Sequence, residues 1–212
     1  MVTLSKAQKV ARQQFNQLHA KVKDGFIPVE ITYEEFLKLD LFAWEVAKIR
    51  HGLPKYQGTS LTALHNAFLI GICGELAVIK HLDGSIEYLE LDIGSSASEF
   101  NHSDLKKFGY DIGVKTVKSG LAPMVKEKSN SPEVICEVDF EDMAYRNGAI
   151  VNIKKIKICG IADIPTLEKY ITRDLIYDQE NPKYKDRLGF YGYQFLHPVE
   201  KDEITAILAS AT

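Results

Sequence analysis

The segment Ser60-Leu61-Thr62-Ala63-Leu64-His65-Asn66-Ala67-Phe68-Leu69-Ile70-Gly71-Ile72-Cys73-Gly74-Glu75-Leu76-Ala77-Val78-Ile79-Lys80 is the most apolar stretch of the chain. A helix with so little polar surface has to pack against a sheet over much of its circumference. Gly71 and Gly74 sharpen that expectation. In an exposed helix each would cost about 1 kcal/mol relative to alanine, a cost that close approach of a neighbouring strand would offset. The same helix carries one acid, Glu75, which is expensive to bury unless it meets a cation.

Around this helix the pattern alternates between helix and strand. Ser5 to Val22 reads as a helix from its spacing of Val10, Phe15, Leu18 and Val22. Thr32-Tyr33-Glu34-Glu35 is a capping-box pattern that opens a second helix, which His51-Gly52-Leu53-Pro54 stops. From Ile86 onward short strand-like runs take over at 86–91, 110–117, 133–138 and 150–158, with turns at Asp83-Gly84, Ser119-Gly120 and Asn147-Gly148. A helix returns over 162–170. The expected fold is α/β: a central mixed sheet of about four or five strands flanked by helices. Residues 1–58 form an N-terminal helical extension, and 59–212 an α/β core ending in an aromatic and basic tail.

At 212 residues with 45% hydrophobic content, one domain with peripheral additions can bury a full core. A net charge of −3 is that of no general polyanion binder, so any nucleic-acid surface is a local patch. Such a patch exists where Lys106, Lys107, Lys115, Lys118, Lys126 and Lys128 face only Asp111 and Glu127. Cys73, Cys136 and Cys159 lack any CxxC spacing and read as small buried hydrophobes of a cytoplasmic protein. The first residues have no signal-peptide core, and no run of about 18 apolar residues is seen, so no membrane span is expected.

The chemistry concentrates in Ser103-Asp104-Leu105 and Gly109-Tyr110-Asp111-Ile112-Gly113-Val114-Lys115-Thr116. On a strand, period-two alternation sends Asp111, Gly113 and Lys115 to one face and Ile112 and Val114 to the core. Magnesium or manganese takes oxygen ligands, commonly one or two carboxylates plus a substrate phosphate. A neighbouring lysine then orients the attacking water or neutralises charge on the phosphate.

Over roughly 60–162 this arrangement resembles the PD-(D/E)XK nuclease superfamily, the restriction-endonuclease-like fold, as a divergent member. Gly74-Glu75 is similar to the Gly-Glu pair on the family's first core helix, Asp104 to its first aspartate, and Lys115 to its lysine, although no proline precedes Asp104. The family's second acid stands two residues before the lysine, and here that residue is Gly113. Asp111 either replaces it or is itself the first-motif aspartate. The Glu137-Val138-Asp139 pair would then supply ligands. The resemblance implies a Mg2+- or Mn2+-dependent deoxyribonuclease, endo- or exonucleolytic, of phage, mobile-element or bacterial restriction or repair origin. Its catalytic residues are Asp111, Lys115, Glu75 and Asp104, its metal ligands Asp111, Asp104 and Glu75. Lys106, Lys107, Lys118, Lys126 and Lys128 contact DNA, and a homodimer is compatible with the sequence.

The competing expectation is an inactive protein on the same fold that binds nucleic acid or a protein, favoured by Gly113. Two peripheral features remain: His102 as an auxiliary acid or base, and the tail 187–197, whose Phe190, Tyr193 and Phe195 either fill the core or stack bases. His65, His81 and His197 read as surface or capping residues.

Overall fold

The computed structural model describes residues 4–89, 91, 104–176 and 187–210. Three long helices lead the chain: α1 (Lys6–Val22), α2 (Tyr33–His51) and α3 (Leu61–His81). Each begins where a hydroxyl satisfies an orphan backbone donor. Ser5 and Gln8 form a reciprocal capping box on α1, Thr32 and Glu35 do so on α2, and Ser60 accepts from the Ala63 N–H on α3.

Strand β1 (Ile27–Glu30) lies between α1 and α2. The remaining strands are β2 (Gly113–Lys118), β3 (Met124–Lys126), β4 (Glu133–Val138), β5 (Met143–Arg146), β6 (Ala149–Ile153), β7 (Lys155–Ala162), β8 (Ile171–Thr172) and β9 (Arg187–Phe190). Short helices α4 (Ile164–Lys169) and α5 (Lys201–Ser210) follow β7 and β9. The central sheet has the order β1-β7-β4-β2, with β2 parallel to β4 and the other pairs antiparallel. This is the mixed sheet flanked by helices that the sequence implies. Two smaller sheets, β3-β9-β8 and β5-β6, complete the fold.

Strand β4 divides the interior by alternation. Val134, Cys136 and Val138 join the larger core with Leu76, Ile79 and Ile156, under α2 and α3. Ile135 points the other way, into a second core with Phe15, Val125, Leu167, Phe190 and Tyr193. Helix α3 is long and apolar enough to cross a membrane by length and composition, with a mean hydropathy of 1.6, contrary to the expectation that no such run exists. Most of it is buried within the fold, where it serves as the core helix.

Several expectations change. The first 58 residues are built into both cores, since β1 pairs with β7, Ile31, Phe36, Leu39 and Ala43 pack beside Leu76 and Ile79, and Phe15 of α1 lies in the second core. Within the run 86–91, Ile86–Tyr88 form a 3-10 turn where a strand was expected. The run 150–158 divides at Lys154 into β6 and β7.

Candidate metal and phosphate site

Gly74 sets the distance between α3 and β2. A methyl group there would lie 1.7 Å from Thr116 Oγ1, so helix and strand touch backbone to side chain and Glu75 comes next to β2. The offset expected for a glycine in this helix therefore holds at Gly74; at Gly71 nothing lies within 4 Å.

Asp104 reaches the same strand from the other direction. The chain folds back through a turn at Lys106–Phe108, with Leu105 N–H donating to Ile112 O and Tyr110 N–H to Leu105 O. Gly109, at φ +98°, takes the left-handed conformation that this reversal needs. Asp104 Oδ2 then accepts the Val114 N–H at 2.6 Å.

The third acid is Glu133, which opens β4. In the parallel register Gly113 faces Glu133 and Lys115 faces Ile135. A methyl group at Gly113 would lie 3.5 Å from Glu133 Cγ and 3.6 Å from Asp104 Oδ2. The space left by the missing acid on β2 is thus occupied by a carboxylate from the next strand. Glu133 Oε1 is 3.6 Å from Lys115 Nζ, and Glu133 Oε2 is buried with no hydrogen-bond partner among the described residues.

Electrostatics mark the cluster as under-neutralised. Burial raises Glu75 well above the usual carboxylate range, Asp104 adds to the rise, and Lys115 opposes it. Asp104 is raised by burial against the pull of Lys115 and the Val114 N–H. Glu133 is raised by burial and by Asp104, with Lys115 and Arg187 drawing it back. Three acids around one lysine amine favour either protons or an added cation. Among the described residues no three His, Cys, Asp or Glu side chains form a metal cage by themselves. A hard cation completed by waters and a substrate phosphate needs only one or two of these carboxylates, and the orphaned Glu133 Oε2 provides an acceptor with a vacant valence. The donor set fits magnesium or manganese.

Asp111 is the principal correction. It is exposed, it precedes the strand that begins at Gly113, and it takes part in none of the charge interactions of Glu75, Asp104 or Glu133. Period-two alternation therefore does not extend from Lys115 back to it. The alternative pair on β4 is also committed elsewhere. Glu137 is bound by His19 and Tyr193, and Asp139 by Lys157.

The expected DNA-contacting lysines are spread out. Lys106 and Lys107 are exposed on their turn, with Lys107 Nζ donating to Leu89 O at 3.3 Å. Lys126 ends β3 and Lys128 follows it, both exposed. Lys118 stands at the far end of β2, its amine over the rings of Phe140 and Tyr145. In the tail, Phe190 and Tyr193 are buried, whereas Phe195 is 42% exposed and stacks on Tyr170. His65 is fully buried, stacked on Trp44 and bonded to Asp40 at 2.8 Å, so it is no surface residue. His102 and the glycine-serine segment 94–98 lie outside the described residues.

Sequence reasoning missed Glu133 as a site residue, and read Arg187 only as one of the tail cations, with Lys183 and Lys185, that would contact phosphates beside the aromatics. The available signal for Glu133 was an acid opening the apolar run Val134-Ile135-Cys136, on the strand after the lysine. Comparison with known proteins gives no match to a family model, a curated protein or a solved structure.

Proposed function

We propose that the chain is a metal-dependent deoxyribonuclease of PD-(D/E)XK type, in which Glu133 stands in for the acid absent at Gly113. The observation that carries this reading is the cross-strand register. Glu133 lies beside Gly113, contacts Lys115 and couples to Asp104, which supports an acid, acid, lysine set drawn from β4, β2 and the turn before β2.

Asp104 and Glu133 would hold the ion, with Glu75 adding negative charge from α3. When bound, a divalent ion would polarise the phosphodiester and lower the pKa of a coordinated water. Lys115 supplies the positive charge that neutralises the developing phosphorane oxygens, and Glu133 Oε1 steers its amine. The Val114 N–H fixes the Asp104 carboxylate, leaving one of its oxygens free to turn toward a cation.

The test is a manganese titration of the purified chain, followed by incubation with plasmid and single-stranded DNA in magnesium or manganese. The expected result is binding and cleavage, both lost in Glu133→Gln. Metal-independent DNA binding without cleavage would instead support the inactive nucleic-acid-binding reading.

A further inference from the structure

Beside the site, the β3–β9 ladder holds an uncompensated pair of cations. Its antiparallel register sets Lys126 directly opposite Arg187. Residues directly opposed in such a ladder share one face with Cβ atoms about 5 Å apart, and like charges there are destabilising. Neither side chain has an ion-pair partner among the described residues. A third cation adds to the crowding, since Arg173 Nη1 donates to Arg187 O at 3.2 Å. Glu133 attracts Arg187 but is shared with Lys115, and Glu127 is exposed beyond the end of β3.

An anion lying between two opposed cations relieves their repulsion. A guanidinium fork beside an ammonium group suits a phosphate diester, whose oxygens accept from both. We infer that Lys126 and Arg187 form a seat for a DNA phosphate next to the scissile one, so that the β3–β9 ladder sets the strand in register with Lys115. This inference rests on the nuclease reading for the word scissile, and on the ladder alone for the seat. Glu133 links the two places, meeting Lys115 on one side and the field of Arg187 on the other. Arg173 buttresses the β9 end of the seat through the Arg187 carbonyl.

The experiment uses the full chain and a fluorescein-labelled oligothymidylate in calcium, across a salt series, to read binding without turnover. The expected result is that Arg187→Ala and Lys126→Ala each weaken binding several-fold. The slope of log affinity against log salt should fall by about 0.7 for each phosphate of the single strand that the variant no longer neutralises. Lys126→Glu converts the like-charged pair into an opposite-charged one, so it should raise the DNA-free Tm while weakening binding. A gain in stability with a loss of affinity cannot arise from misfolding. The seat is refuted if wild type does not bind the oligonucleotide, if the Lys126→Ala/Arg187→Ala double variant keeps wild-type affinity and slope, or if Lys126→Glu lowers Tm. Binding that depends on the seat without cleavage would sustain it while removing the nuclease reading. Cleavage with seat-independent binding would do the reverse.

Discussion

Strand β4 carries two acids on one face, and they meet opposite fates. Glu137 is 1% exposed, and its carboxylate faces His19 Nε2 at 2.8 and 2.9 Å while Tyr193 Oη donates to Oε1 at 2.8 Å. Phe15 and Phe26 pack against the His19 ring, closing the cluster from water. Among the described residues, Glu133 has a loose contact with Lys115 at 3.6 Å and a buried oxygen with no hydrogen-bond partner. The first acid is finished by the protein and ties α1 to the sheet. The second is left open, and open buried acceptors are rare enough that each needs a cause. The difference is that between a satisfied structural carboxylate and an open one, which the proposed function reads as kept for a ligand.

The strongest way to break this contrast is to remove the cation of the open site. Lys115→Ala should reduce magnesium-dependent cleavage by about 10²-fold or more, with an unchanged circular dichroism spectrum. If cleavage by this variant is normal, the open cluster is not the reaction centre.

Next in size is the closed cluster. Glu137→Ala leaves His19 and Tyr193 buried without their acceptor, and a loss of about 3 kcal/mol is expected in urea unfolding. Cleavage per folded molecule should stay at the wild-type level. A stable variant with no activity would reverse the roles assigned to the two acids.

A smaller effect sharpens the comparison through pH. Glu75, Asp104 and Glu133 all have raised folded-state pKa values, with burial the leading cause. The native state therefore binds protons more tightly than the unfolded chain. Stability contributed by these groups falls as pH rises through the raised values, and returns as pH drops toward the ordinary carboxylate range. Metal-free Glu75→Gln should accordingly be more stable than wild type at neutral pH, by on the order of 1 kcal/mol. Its advantage should shrink on acidification and on adding manganese to wild type. Thermal scans from about pH 4 to 8 that show no such trend would mean the cluster is not under electrostatic strain.

The smallest effect is expected where the sequence pointed most directly. Asp111→Asn should change stability by less than about 0.5 kcal/mol and cleavage by no more than about twofold, because Asp111 is exposed and outside the charge cluster. A larger loss in a cleavage assay would return Asp111 to the site.

The sequence was most legible where structure is local. The capping residues Ser5, Thr32 and Ser60 start their helices as read, and the apolar run of α3 packs on the sheet, with Gly74 against Thr116. Glu75 and Asp104 both lie within electrostatic reach of Lys115. Asp111 was misplaced because alternation was carried back from Lys115 past Gly113, where β2 begins, into residues that are not strand. Glu133 was hidden for a different reason. The pairing of Gly113 with Glu133 belongs to a parallel register between segments joined by a long connection, and nothing within either strand encodes it. Ile86–Tyr88 has strand-like composition, yet the Tyr88 and Leu89 N–H groups are satisfied locally by Ser85 and Ile86 carbonyls.

The claim that Glu133 replaces the acid missing at Gly113 is tested most directly by moving the carboxylate back. A methyl group at Gly113 would meet only ordinary contacts at 3.5 and 3.6 Å, so a side chain can start there. Magnesium-dependent cleavage measured side by side should be lost in Glu133→Gln and partly restored in Gly113→Asp/Glu133→Gln. Wild-type cleavage by Glu133→Gln alone would contradict the account.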